Sequence, residues 1–302
     1  MATNTKAPTM SEAKNVYKKR SFKDSAIVSF IRSLSKNKLS LAGFCFIIFM
    51  ILVAVCAPYI CKYSYTKLDM LNSFQLPNSD HWLGTDELGR DLFARIIYGA
   101  RYSLAIAFIS EVVALAIGVL LGATAGYFSG VIGDIILRFC DILQAIPHTL
   151  LAIVISQALG AGFMSTVFAL AISSITGTVR LQRALILNIR EQEYVEAGKA
   201  ITASNARIIF RHVLPNTIPQ LIISFTGGLS GKLIMVAGLS YLGLGVQPPT
   251  PEWGALLSEG RQWIQYYPHV VMYPGLFILL TALAFNLLGD GVRDALDPRL
   301  RD

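Results

Sequence analysis

Two glycine–lysine pairs, Gly198-Lys199 and Gly231-Lys232, are the places where phosphate chemistry would first be sought. A phosphate-cradling loop needs a glycine upstream at fixed spacing and a Ser or Thr after the lysine to hold magnesium. Ala200 and Leu233 stand there instead. The chain therefore has no nucleotide-hydrolysing loop of this type. It also has no G-x-S-x-G elbow and no H-E-x-x-H pair. His81, His148, His212 and His269 are scattered, and each reads as a local hydrogen-bonding residue rather than a metal ligand. Cys45, Cys56 and Cys140 lie inside apolar runs and Cys61 ends one. Their spacing suggests neither a disulfide frame nor a zinc site, so they read as small packing residues. No catalytic residue, no metal site and no cofactor bound by this chain is indicated.

What remains is charge in unusual surroundings. Glu111 and Lys232 each interrupt a long apolar run. An ionisable group left unpaired in hydrocarbon costs a few kcal/mol, roughly, and marks function by default. Either the residues line a path through the membrane, where they face each other or a peptide terminus, or they snorkel or form a structural pair. The second anomaly is EYVEAGKAITASNARIIFRHVLPN (193–216), which carries Glu193, Glu196, Lys199, Arg207, Arg211 and His212 between two greasy stretches. Its first part is rich in helix formers. Thr202, Ser204 and Asn205 interrupt it, and Ser204 is placed to cap a second helix, ARIIFRHVL. Pro215 is expected to end that helix and begin the next. A helix–turn–helix with a small-residue knuckle at Ala197, Gly198 and Ala200, flanked by charge, suits insertion into a groove on another protein. Asp134, Arg138 and Asp141 share one helix face at i, i+4 and i+7, which predicts a structural trio that fixes the third span at the cytoplasmic border.

These residues must be held by membrane-spanning elements. The 302 residues are 54% hydrophobic and 15% charged, against about a quarter charged in a soluble domain. The formal net charge of +7 does not indicate nucleic acid, because the basic residues flank apolar segments, where they set topology. The expectation is an all-α, polytopic protein with six transmembrane helices. The basic stretch 1–38 is a cytoplasmic tail. The first span, 39–61, is uncleaved: the polar lead is too long for a signal peptide. An extracytoplasmic loop, 62–100, contains a short amphipathic helix in DELGRDLFARIIYG (86–99). A five-helix core, 101–290, follows, with spans near 102–125, 135–158 (kinked at Pro147), 164–185, 218–239 and 270–288. It includes a cytoplasmic loop at 186–214, and residues 291–302 form a cytoplasmic tail. Gly118, Gly122 and Gly126 have the small-xxx-small spacing that lets helices approach closely in lipid. Arg180, Arg183, Arg190, Lys199, Arg207 and Arg211 fit a cytoplasmic location. Arg90, Arg95 and Arg101 run against it, offset by Asp80, Asp86, Glu87 and Asp91 nearby.

The polar segment resembles the cytoplasmic EAA loop of bacterial ABC importer permeases. Glu196 and Ala197 match, Gly198 replaces the second alanine, Thr202 stands where glycine is expected, and Leu214-Pro215-Asn216 matches the ending. HWLGTDELGRDLFARIIYGARYSL (81–104), AGYFSGVIGDIILRFCDILQAIP (125–147), SYLGLGVQPPTPEWGALLSEGR (240–261) and FNLLGDGVRDALDPRLR (285–301) resemble the C-type subunit of the dipeptide/oligopeptide/nickel branch. Together these stretches cover most of 39–301. The resemblance implies the type I permease fold of ABC importers, in a bacterial inner membrane with both termini cytoplasmic. It implies a homologous second permease subunit, two ATP-binding subunits that hold ATP and magnesium, and an extracytoplasmic solute-binding protein. Peptides would cross by alternating access. Glu196, Ala197, Gly198, Ala200, Thr202, Ala203 and Ser204 would couple the chain to an ATPase. Glu111 lies where the family pattern is apolar, and it is from their charge, not from the resemblance, that Glu111 and Lys232 are expected to line the substrate path, facing each other or a peptide terminus. The family usually has a glutamate near position 236, where this chain has Val236. Within the branch, a nickel or metallophore importer is the alternative. A stand-alone channel or secondary carrier would not need the coupling loop. For Trp253, in PTPEWG, contact with the binding protein and an interfacial anchor are both open.

Overall fold

The computed structural model describes residues 37–128, 130–200 and 204–296. Among these the chain is helical, apart from loops and one isolated bridge between Thr85 and Asp91. Helix α1 (Lys38–Val55) starts where the Asn37 side chain accepts from the Leu39 and Ser40 N–H groups. It breaks at Cys56, and a single turn, α2 (Ala57–Ile60), follows with proline in its first turn. Helix α3 (Leu92–Tyr127) is 36 residues long, about 54 Å at the α-helical rise.

The separate amphipathic helix expected at 86–99 is not formed. Asp91 caps α3, accepting from Ala94 N–H at 2.7 Å. Residues 92–99 are simply the first turns of that long helix, and 84–91 is a tight loop held open by positive φ at Gly84 and Gly89. A side chain at Gly89 would collide with the Asp69 backbone. The expected domain border at residue 101 therefore falls inside α3.

The kinked third span is two helices. α4 (Val131–Gln144) and α5 (His148–Leu159) meet at 88°. Pro147 has ψ 133°, an extended conformation, and the residue before a proline is itself pushed out of the helical region. The chain therefore turns a corner here instead of bending. The rest comprises α6 (Phe163–Arg190), α7 (Glu193–Ala200), α8 (Asn205–Ile208), a π turn (Ile209–Val213), α9 (Leu214–Tyr241), α10 (Trp253–Gly260) and α11 (His269–Leu296). The last helix passes the expected border at 290.

Among the described residues, five helices are long and apolar enough to cross a membrane, or six if the bent pair is one span. The packing register decides. A Cβ on Gly118 would meet Thr178, on Gly122 Gln182, and on Gly126 Ile186. Position numbers rise together, so α3 and α6 run parallel. Two parallel spans need one crossing between them, and only α4 and α5 are available. Asp141 pairs with Arg180 and Gln144 with Thr176, which places α4 antiparallel to α6, and α5 continues beside the first half of α6. The six-span expectation holds, with one span broken. The same glycines confirm the small-residue seam: at Gly122 the added atom would lie 2.5 Å from the Val179 carbonyl oxygen. The main core joins α1, α3, α9, α10 and α11 around Met50, Ile96, Leu233 and Trp253.

Candidate functional site

The polar segment is built as two short helices laid across the ends of longer ones. Glu193 and Glu196 occupy the first turn of α7, where the helix dipole favours negative charge. Val195, Ile208 and Val213 turn inward and form a small separate core with Ile186 of α6 and Ala123 of α3. Asn216 donates to the Tyr194 hydroxyl at 3.3 Å and to the His212 carbonyl at 2.6 Å. Arg190 donates to the Gly126 carbonyl at 3.2 Å, which ties α6 to α3. Glu196, Ser204 and Phe210 stay exposed. Ser204 Oγ accepts from Arg207 N–H at 3.4 Å, a long version of the expected cap. Ala197, Gly198 and Ala200 lie in α7. Thr202 and Ala203 lie outside the described residues.

Pro215 does not end a helix as expected. The backbone winds from α8 through the π turn into α9 without a break. Proline lacks an N–H and its ring crowds the carbonyl four residues back. The wider turn just before it relieves that clash, a common device at functional positions.

Glu111 of α3 and Lys232 of α9 come together. Lys232 Nζ lies 3.7 Å from Glu111 Oε2 and donates to the Leu170 carbonyl at 2.6 Å and to Ser174 Oγ, both on α6. The carboxylate sits against the bare backbone of Gly228, where any Cβ would overlap it. Glu111 is 8% exposed and Lys232 6%. The pair therefore knots three helices inside the subunit and offers little surface to a solute in this conformation.

A second charge cluster bears out the expected offset of Arg90 and Arg95 by Asp86 and adds Glu259, which the sequence did not point to. Arg90 donates to Asp86 and Glu259 at 2.6 Å each, and Arg95 to the same two carboxylates at 2.7 Å. Burial alone would push the Glu259 carboxyl up, but the two guanidiniums outweigh it and hold the group below its ordinary range. Two arginines and two carboxylates neutralise one another, so the out-of-place arginines carry little net charge. Trp263 Nε1 donates to Glu87 at 2.7 Å, which closes the same loop onto the chain after α10. The signal was present in DELGRD and SEGR, but only the fold brings Glu259 to residues 86–95.

Trp253 is neither an exposed contact nor an interfacial anchor. It is fully buried, it donates to the Ile96 carbonyl at 2.9 Å, and its ring fills the space over Gly99. Its neighbour Glu252 accepts from Ser103 Oγ at 2.7 Å and caps α10 through Ala255 N–H at 3.0 Å. In the expected Asp134–Arg138–Asp141 trio, Asp141 instead pairs with Arg180 of α6 at 2.6 Å, each side chain 48% exposed.

The family described as "Binding-protein-dependent transport system inner membrane component" matches residues 118–302. The one described as "N-terminal TM domain of oligopeptide transport permease C" matches residues 25–77. The dipeptide transport system permease protein DppC of Alkalihalophilus pseudofirmus is 43% identical over 89% of this chain and 89% of its own. The glutathione transport system permease protein GsiD of Pectobacterium atrosepticum is 43% identical over 90% and 91%. Among solved structures, the inward-facing MetNI methionine ABC transporter superposes with TM-score 0.53 at 16% identity, over 67% of this chain and 96% of that one. That likeness bears on the fold alone.

Proposed function

The chain belongs to the binding-protein-dependent transport system inner membrane components, as an ABC importer permease of the peptide family, and from that premise we propose that it carries di- and oligopeptides into the cell by alternating access, driven by ATP hydrolysed on partner subunits. A family of this kind works with ATPase subunits and a solute-binding protein. In the specific assembly proposed, this chain pairs with a homologous permease subunit, two ATP-binding subunits hold ATP and magnesium below, and the binding protein delivers solute from outside. Both termini and the segment 186–214 face the cytoplasm.

The observation that carries this reading is the mounting of the polar segment. Its helices share a private core with the ends of α3 and α6 while Glu196, Tyr194 and Phe210 remain exposed. A push on that exposed face moves two spans as a unit, which suits a rigid coupling element between two global states. Glu196, Ala197, Gly198, Ala200, Thr202, Ala203 and Ser204 form the seat for an ATPase groove. The peptide class is supported by relatives named for dipeptide and for glutathione, itself a small peptide.

The test is uptake by proteoliposomes containing the complete complex and its binding protein. Labelled dipeptide or glutathione should accumulate only with ATP, and nickel should not. ATP-independent flux through this chain alone would mean a channel or carrier, and uptake of nickel alone would overturn the peptide reading.

A further inference from the structure

Among the described residues, α6 supplies a ruler for membrane depth. Its 28 residues span about 42 Å, while the hydrocarbon core is about 30 Å thick. Thr176 is the fourteenth residue, about 20 Å from the helix start, and Arg180, expected from the sequence in the cytoplasm, lies about 25 Å along it. Wherever a 30 Å slab, roughly, is slid along a helix of that length, both positions fall inside it. Gln144 at the end of α4 donates to Thr176 Oγ1 at 3.2 Å, so the corner between α4 and α5 also lies within the slab.

That corner is uncovered. Residues 144–150 are exposed without interruption, three of them are polar (Gln144, His148 and Thr149), and no side chain caps α5. Irregular backbone at membrane depth is tolerated only where protein covers it or water reaches it. One turn away on the same helix lies the half-exposed Asp141–Arg180 pair, and half-exposed charge is as costly against lipid tails. A dry protein contact would have to satisfy seven consecutive exposed residues and both charges, whereas water satisfies them without any fitted partner.

We propose that this face, formed by Asp141, Gln144, Pro147, His148, Thr149 and Arg180, is a hydrated wall of the translocation path and receives a zwitterionic solute. The proposal deepens the importer reading and rests on it. An adjacent carboxylate and guanidinium offer complementary charge to a free ammonium and a free carboxylate. Gln144 and Thr149 offer neutral hydrogen bonds to amides, weak enough to let the solute leave. The buried Glu111–Lys232 pair, by contrast, stands behind the path and not on it.

The test uses the assembled complex, in lipid nanodiscs for labelling and in proteoliposomes with its binding protein for uptake, with Cys45, Cys56, Cys61 and Cys140 replaced by serine or alanine. Single cysteines are placed by Gln144→Cys, His148→Cys and Thr149→Cys, with Leu52→Cys and Leu279→Cys as apolar exposed controls. The probe is a membrane-impermeant anionic methanethiosulfonate, whose sulfur is attacked only by a hydrated thiolate, with methanesulfinate leaving. The corner cysteines should react at least about tenfold faster than the controls, and modification of His148→Cys should block peptide uptake. Corner cysteines that react no faster than the controls, with nucleotide absent and with vanadate-trapped ATP, overturn the proposal while uptake by the same complexes keeps the importer reading intact. If the cysteine-free complex neither co-purifies with ATPase subunits nor takes up peptide, the importer reading falls and this proposal with it.

Discussion

Glu111 and Lys232 illustrate what a residue type announces and what it withholds. A charge in an apolar run was visible in the sequence, and so was the possibility that the two meet. That Lys232 also ties down the Leu170 carbonyl, and that Gly228 leaves room for the carboxylate, needed three helices in register. Breaking a buried pair by removing one partner costs about 3–5 kcal/mol, because it strands the other charge. Glu111→Lys and Lys232→Glu alone should each lower the melting temperature of the purified complex and abolish uptake, and the double reversal should restore part of both. A double mutant no better than either single one would show that the pair is not coupled. Glu259 gives a second prediction. Its carboxyl is held below the ordinary value of 4.5, so the ionised form is favoured by the fold. Its contribution is full above that value and is lost as pH falls through the lower native one. The melting temperature should drop on acidification below about pH 4.5. Glu259→Gln should melt lower at neutral pH, with a shallower acid-side drop. An acid-side drop as steep as in the parent chain would remove Glu259 from the account. The offset of Arg95 by Asp86 was legible beforehand and the part of Glu259 was not, because Glu259 is 164 positions from Arg95, and helical spacing reports only on near neighbours.

At the scale of elements, long apolar periodicity was the most legible signal, and the small-residue seam at Gly118, Gly122 and Gly126 came through unchanged. The errors fall where one helix runs into another. The start of α3 was hidden because residues 92–99 carry Arg95 and look amphipathic, although Asp91 is the cap that sets the boundary. At Pro147 the sequence offered a proline in a span but not the choice between bend and corner, which depends on α4 and α5 each finding its own contact on α6. At Pro215 it offered a helix stop, and a π turn absorbed it. The polar segment 193–216 stood out by its residues, and its mounting did not. Ile208→Ala should remove about 2–5 kcal/mol of packing from the core shared with Ile186 and Ala123. Limited proteolysis should then cut 193–213 faster, and ATP-driven uptake should fall, while the main thermal transition of the spans barely moves. Gly198→Trp should leave folding intact and prevent co-purification with the ATPase subunits or uncouple them. Normal ATP-driven uptake by the Gly198→Trp complex would count against docking at α7.

For the whole molecule, the deciding quantity is the number of crossings. Composition and length leave five or six spans, and the difference inverts half the protein. With five, the termini lie on opposite faces, and α6 ends on the face opposite to the one where α3 ends. The parallel register of Gly118, Gly122 and Gly126 against Thr178, Gln182 and Ile186 forbids that, because two parallel neighbours must end on the same face. The broken span therefore crosses, and it has to, since the private core of the polar segment needs the ends of α3 and α6 side by side. In the proposed topology, the basic stretch before α1 puts the N-terminus in the cytoplasm. A green fluorescent protein fused after Asp302 should fluoresce, and one inserted between Asn78 and Asp80, in the loop before α3, should stay dark, because the protein does not mature when exported unfolded. A cysteine at Glu196 should be shielded from an impermeant thiol reagent in intact cells and labelled after permeabilisation. Labelling of that cysteine from outside would place the coupling segment on the wrong face for any cytoplasmic ATPase, and would overturn the mechanism even if every helix were drawn correctly.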